Sequence, residues 1–313
     1  MSNNKDLTQA AKQISPLVIG AVGGSGTRLV TQILQTAGYY MGEMSGSDQT
    51  GGALDSLWFN FLLRRPAWFA KHHEQHPEKI MQGLSILEKI MSGKPVRAKK
   101  DLLFMTAALK DYSHFRKKND KLIHLFSAIH GVRILKNSAF GYKDDRSQAL
   151  GWGWKDPASH AFLPYLADYF PNLRYVHVIR HGLDMAYSRN QYQSTFWAEA
   201  FNLSPAKTPD EVPKVSLSYW IQTNQKAVNF ANEKLKDRFF LLKYEDICLQ
   251  PQQTIQQLLE FASVPPESVD IDKFSAMIKA SPNIGRYKSQ DLSIFSDEEI
   301  QAVKDLGYEV EVN

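Results

Sequence analysis

The stretch Pro16-Leu-Val-Ile-Gly-Ala-Val-Gly-Gly-Ser-Gly-Thr-Arg28 decides how this chain is read. Its apolar, β-branched opening predicts a buried strand. Gly23, Gly24, Ser25 and Gly26 predict a tight loop, and Leu29, Ile33 and Leu34 the apolar face of a helix. Strand, glycine loop and helix start together make an anion site, because unpaired backbone N–H groups and the positive end of the helix dipole converge there. An ATP-type loop ends in Gly-Lys-Ser/Thr, with the lysine on the terminal phosphates and the next hydroxyl on Mg²⁺. Here Thr27 and Arg28 follow Gly26, so that pair is missing. The loop is expected to hold a nucleotide phosphate without a metal.

Outward from this unit, residues 16–42 close at Gly38 and a short apolar stretch, Tyr39-Tyr-Met41. From about residue 43 to 150 the pattern changes. Helical periods recur, as in Leu54, Leu57, Trp58, Phe61 and Leu62 or in Leu122, Leu125, Phe126 and Ile129, and strand signals are scarce. The α/β pattern then returns. Trp152-Gly-Trp154 reads as a short strand, Ala158 to Tyr169 as a helix and Leu173 to Ile179 as a strong strand. Trp220 to Leu235 reads as a helix, Phe239 to Tyr244 as a strand and Pro251 to Phe261 as a helix. Strands alternating with helices predict an α/β fold with a parallel sheet flanked by helices. The expected organisation is a disordered tail over 1–14, then one domain over 15–313 with a helical insertion at about 43–150.

A chain of 313 residues, 43% hydrophobic and 22% charged, can bury a large core. One cysteine, Cys248, leaves no internal disulfide framework and suits a reducing compartment. No apolar run approaches the length of a membrane span, so a cytoplasmic protein is expected. The net charge of +4 agrees with an anionic ligand. Lys99-Lys100 and Arg116-Lys-Lys118 lack interleaved aromatic residues and read as solvated helix faces, so no nucleic-acid partner is expected. His72-His-Glu-Gln-His76 misses the His-Glu-x-x-His order of a zinc helix, and no metal is expected.

Three later segments fall beyond predicted strands, where open α/β sheets bind ligands. Arg180-His-Gly-Leu-Asp-Met-Ala-Tyr-Ser188 offers a guanidinium fork and, eight residues on, a hydroxyl expected two turns into a helix. Tyr244-Glu245-Asp246 follows a second strand, and Gly285-Arg-Tyr-Lys288 lies in a loop. With Ser25-Gly26-Thr27, this ordered set resembles the sulfotransferase family, which uses 3′-phosphoadenosine 5′-phosphosulfate (PAPS) as cosubstrate. The resemblance implies that Ser25-Gly26-Thr27 grips the 5′-phosphosulfate, and Gly23, Gly24 and Arg28 of the same loop are expected to join it in binding the cosubstrate. It implies that Arg180 and Ser188 hold the 3′-phosphate. Arg286 and Lys288 are either surface charges or close over that phosphate. Tyr244-Glu245-Asp246, matching a Tyr-Glu-Asp segment of the family, reads more as a structural brace than as a contact, with Tyr244 its candidate for one. Lys155-Asp-Pro157 and Phe170-Pro-Asn172 ahead of the Arg180 strand are similar to the tyrosylprotein branch of the family. That similarity nominates Lys155 to contact the transferring sulfate. Relatives place Lys or Arg before the Ser-Gly-Thr, whereas this chain has Gly24. Either Arg28 or Lys155 supplies that charge, or transfer is impaired.

Sulfuryl transfer also needs a base for the acceptor proton. Glu43, shortly after the first helix, is the first candidate and Asp55 the second. The acceptor is a small molecule, carbohydrate or peptide bearing a hydroxyl or amine. Two other functions stay open at this point: a kinase or nucleotide hydrolase with a degenerate loop, and a nucleotide-binding protein without catalysis.

Overall fold

The computed structural model describes residues 15–45, 54–115, 136, 148–278 and 281–311. Its strands are β1 (Leu17–Ala21), β2 (Tyr39–Tyr40), β3 (Met44–Ser45), β4 (Asp55–Ser56), β5 (Gly151–Lys155), β6 (Arg174–Ile179) and β7 (Phe239–Lys243). Five of them form a parallel sheet in the order β2-β5-β1-β6-β7, while β3 and β4 pair antiparallel beside it. β1 lies between β5 and β6, so the chain leaves it first toward one edge and later crosses to the other. That reversal opens a crevice beyond the carboxyl ends of β1, β5 and β6.

Strand alternation sends side chains to two cores. Val18, Tyr175 and Ile179 pack on one side of the sheet, and Leu17, Ile19, Val176 and Val178 on the other. The second face is covered by α1 (Thr27–Thr36), whose Val30, Ile33 and Leu34 are buried, and by a helix over Pro251–Phe261. The first face carries the long Val212–Lys234 helix and the helices between β4 and β5. These are α2 (Leu57–Leu62), α3 (Pro66–His72), α4 (Pro77–Met91) and α5 (Lys99–Phe115). The helical period expected at 122–129, the basic run at 116–118 and the tail at 1–14 lie outside the described residues.

Three local expectations need correction. The Ala158–Tyr169 helix divides into a 3₁₀ turn over Pro157–Phe162 and an α-helix over Leu163–Tyr169, because Pro164 has no N–H to continue the ladder. The helix expected from Trp220 begins at Val212, where Pro213 fits the first turn and Ser216 and Leu217 are already buried. Ser188 lies beyond a helix rather than within one. That helix spans only Gly182–Ala186, and the Gln191 amide donates to the carbonyls of Met185, Ala186 and Ser188 (3.1, 3.1 and 2.7 Å), stopping the ladder.

His177 and His160 are buried among the residues packed on the first face. His177 meets Asn224 Oδ1 through Nε2 at 2.7 Å, and His160 meets the Tyr219 hydroxyl at 3.4 Å. Burial pushes their pKa values down from 6.5, to about 4 for His177 and about 3 for His160. Both folded values lie below the unfolded one, so these rings stabilise fully above pH 6.5 and lose that contribution as pH falls toward 4. Asp156 acts in the opposite sense. Burial raises it to about 6, so the folded chain takes up its proton first. The two depressed imidazoles outweigh the one raised carboxyl, so urea unfolding is expected to show lower stability at pH 4 than at pH 7. His177→Gln should remove close to half of the histidine part, and an unchanged pH dependence in that variant would count against the assignment.

Candidate functional site

The Val22–Thr27 loop builds the floor of the crevice. Ser25 turns inward: its hydroxyl donates to the Val22 carbonyl at 2.7 Å and its amide to the same oxygen at 3.2 Å. The Gly23 amide donates to Gln193 Oε1 at 2.8 Å. The amides of Gly24, Gly26, Thr27 and Arg28 make no hydrogen bond among the described residues. They are the open donors of the loop and the first turn of α1. Gly26 takes a left-handed φ of 88° at the N-cap of α1. A Cβ there would lie 2.2 Å from the Tyr244 ring, so both conformation and space require glycine.

These residues border a cavity of about 570 Å³. Gly23, Gly24, Gly26, Thr27, Arg28, Leu29 and Gln32 form one side. Lys155 and Pro157 come from the end of β5, Asp55 and Arg64 from the β4–α2 region, and Asn190, Tyr192, Gln193 and Tyr244 complete the wall. A volume of this order suits a nucleotide-sized ligand.

Lys155 is 1% exposed and pairs with Asp55 Oδ1 at 2.5 Å. Asp55 Oδ2 accepts from Arg64 Nη1 at 2.6 Å, and the same nitrogen reaches Asp156 Oδ2 at 3.4 Å. Asp156 also accepts from the Ala158 amide at 2.9 Å, capping the turn behind Lys155. Two cations and two carboxylates thus meet at the cavity wall. Burial holds the Asp156 carboxyl above the usual range, despite Arg64, and Asp55 adds to that rise.

The two candidate bases are placed differently. Asp55 borders the cavity, whereas Glu43 is not among its lining residues. The Glu43 carbonyl instead accepts from the Leu57 amide at 2.9 Å, at the start of α2. Arg28 borders the cavity from an exposed position on the first turn of α1.

Arg180 lies one layer back, 7% exposed, with its guanidinium packed 4.8 Å from the centre of the Tyr244 ring. Its Nε and Nη2 are buried and have no hydrogen-bond partner among the described residues. Such N–H groups are costly unless an anion satisfies them. Arg286 is close enough that Arg180 helps to lower its pKa, after burial, and Arg189 acts in the same direction. Asp184 fixes that loop, accepting from the amides of Gly285 (2.8 Å) and Tyr287 (3.1 Å). Ser188 sits nearby, its hydroxyl accepting from the Asn190 amide at 3.2 Å.

Lys288 and Glu245 turn elsewhere. Lys288 pairs with Glu311 at 2.6 Å at the surface. Glu245 accepts from the His181 amide (3.0 Å) and the Tyr308 hydroxyl (3.2 Å), bracing the Arg180 turn against the C-terminal segment. Trp154 is core, stacked on Phe59, and Trp152 packs beside it away from the cavity. Among the described residues, no three His, Cys, Asp or Glu side chains are grouped to hold a metal, and no helix is long and apolar enough to cross a membrane.

Arg64, Tyr192, Gln193 and Asn190 border the cavity without having been foreseen. They come from the helical middle and from the segment after Ser188, and carry no motif. The Arg64-Arg65 pair before Pro66, set among apolar residues, is the one trace that Arg64 leaves in the sequence.

A model of the sulfotransferase family matches residues 16–268. No curated protein matches the chain. Among solved structures, the chain is similar to the sulfotransferase domain of the Synechococcus PCC 7002 olefin synthase, with 13% identity over 96% of this chain and 97% of that one and a TM-score of 0.47. It is similar to the sulfotransferase domain from the curacin biosynthetic pathway, with 13% identity, coverage of 96% and 100%, and a TM-score of 0.48. It is also similar to sulfotransferase STF9 from Mycobacterium avium, with 12% identity, coverage of 97% and 77%, and a TM-score of 0.42. The family match extends over far more than half of the sequence: the chain belongs to the sulfotransferase family.

Proposed function

We propose that this chain transfers a sulfuryl group from PAPS to a hydroxyl or amine of a small-molecule, carbohydrate or peptide acceptor. A cytoplasmic setting suits its single cysteine. The carrying observation is the buried Arg180 guanidinium, with two nitrogens unpaired beside Arg286, behind a cavity floored by open amides. That arrangement offers two separate anion sites, one for each phosphorylated end of the nucleotide.

In this reading the amides of Gly24, Gly26, Thr27 and Arg28 hold the 5′-phosphosulfate, and Arg180, Arg286 and Ser188 the 3′-phosphate. Tyr244 packs between the two sites. Lys155 stands over the sulfate and takes up charge as the S–O bond to the leaving phosphate breaks. The acceptor oxygen or nitrogen forms the new bond to sulfur, and Asp55, the carboxylate on the cavity wall, receives its proton. The transition state of such a transfer is loose, so positioning and charge stabilisation dominate.

Binding of 3′,5′-diphosphoadenosine, the product nucleotide, tests this without knowledge of the acceptor. In the presence of a chelator, ligand at a hundred times its Kd stabilises by about 2.7 kcal/mol, or about 5 °C in Tm for a chain of this size. No shift at saturation, or a shift only with added Mg²⁺, would count against the reading.

A further inference from the structure

We infer that Arg64 supplies a cation that meets the sulfuryl group, a charge that Gly24 does not provide from the loop. The inference rests on the donor reading above and adds to it a residue outside every motif. Gly24 takes a left-handed φ of 99°, and a Cβ there would lie 3.2 Å from Met185 Cε. A lysine or arginine at that position would be strained, so the loop backbone itself selects against the missing charge.

Arg64 brings a guanidinium to the same cavity from the turn after α2. It follows α2, where its amide donates to the Phe59 carbonyl at 3.1 Å and Pro66 starts the next helix. Its position is fixed on three sides. Nη1 is shared between Asp55 and Asp156, and the Tyr192 ring centre lies 5.0 Å from the guanidinium carbon. A guanidinium has five N–H donors, and one nitrogen serves both carboxylates. Nε is buried and has no hydrogen-bond partner among the described residues, while the guanidinium also hydrogen-bonds the Tyr192 side chain. Burial opposes the charge of Arg64, but Asp156 and Asp55 outweigh it and hold the group protonated beyond its ordinary range.

Arg28, the other arginine on the wall, is exposed and unfixed by such contacts. A charge already desolvated and oriented costs less to use at the moment of transfer than one that must be drawn in from solvent. Arg64 and Lys155 are joined through Asp55, so the same carboxylate orients both cations.

The test compares PAPS with 3′,5′-diphosphoadenosine, which lacks the sulfuryl group, by calorimetric titration of the full chain. Arg64→Gln should weaken PAPS about tenfold and leave 3′,5′-diphosphoadenosine within about twofold, the loss of one charge-assisted contact. Removing Arg64 alone strips a buried cation from Asp156, so Arg64→Gln/Asp156→Asn is measured beside it. The double variant removes both charges, retains an acceptor for the Ala158 amide and leaves Asp55 paired with Lys155; the same selective loss is expected. Equal weakening of both ligands, or of neither, overturns the inference. So does a PAPS-selective loss that appears in Arg28→Ala instead. A wild-type protein that binds neither ligand overturns the donor reading itself, a result distinct from all of these.

Discussion

Lys155→Met lowers turnover by about a hundred- to a thousand-fold while nucleotide affinity stays within about twofold. The ammonium is buried at the cavity wall, and its interaction strengthens only as charge grows on the leaving phosphate. Methionine retains most of the aliphatic stem, so the packing at the end of β5 survives. Asp55 keeps Arg64 as a partner in the variant, which spares the fold an unpaired carboxylate. Turnover is read as release of 3′,5′-diphosphoadenosine from PAPS, with affinity for that product measured in parallel. Arg28→Ala is the paired control. If Lys155→Met turns over near the wild-type rate and Arg28→Ala is inactive, the role passes to Arg28. If neither variant loses turnover, the proposed charge stabilisation is wrong.

The parts of the site that can be read from sequence are those made by contiguous residues. The strand, glycine loop and helix over 16–36 depend on local spacing and on the conformations glycine allows, and both are visible in one dimension. β6 announces itself as an apolar run because an inner strand of a parallel sheet is buried on both faces, and β7, at the edge and half-buried, still reads as an apolar run. Arg180 follows from the rule that ligands gather beyond strand ends, and Lys155 from the similarity of Lys155-Asp-Pro157 to the tyrosylprotein branch. Arg64 and Asp55 come together from a helical segment with no motif, through ion pairs to a strand about a hundred residues away. Only tertiary convergence reveals them. The order of the two carboxylates was illegible for the same reason: Glu43 and Asp55 have similar sequence surroundings, and the β3–β4 pairing brings Asp55 to the wall. Ser188 was misplaced because a single side chain, Gln191, ends the helix earlier than its residue pattern suggests.

Arg180→Ala carries the second large effect and bears on the central claim, that this crevice reads a nucleotide phosphorylated at both ends. The guanidinium packs on the Tyr244 ring close to Arg286, and two of its nitrogens have no partner among the described residues. A lost charge-assisted contact of this kind is worth roughly 1.5–3 kcal/mol, or about ten- to a hundred-fold in affinity. The loss belongs to the 3′-phosphate alone. The decisive measurement is therefore one calorimetric comparison, in chelator, of 3′,5′-diphosphoadenosine with adenosine 5′-monophosphate, which differ only in the 3′-phosphate, on the wild-type protein and on Arg180→Ala. The account predicts that the wild type prefers the 3′-phosphorylated ligand by at least about tenfold and that Arg180→Ala abolishes the preference by weakening that ligand only. Equal loss for both ligands, or a wild type indifferent to the 3′-phosphate, would contradict it.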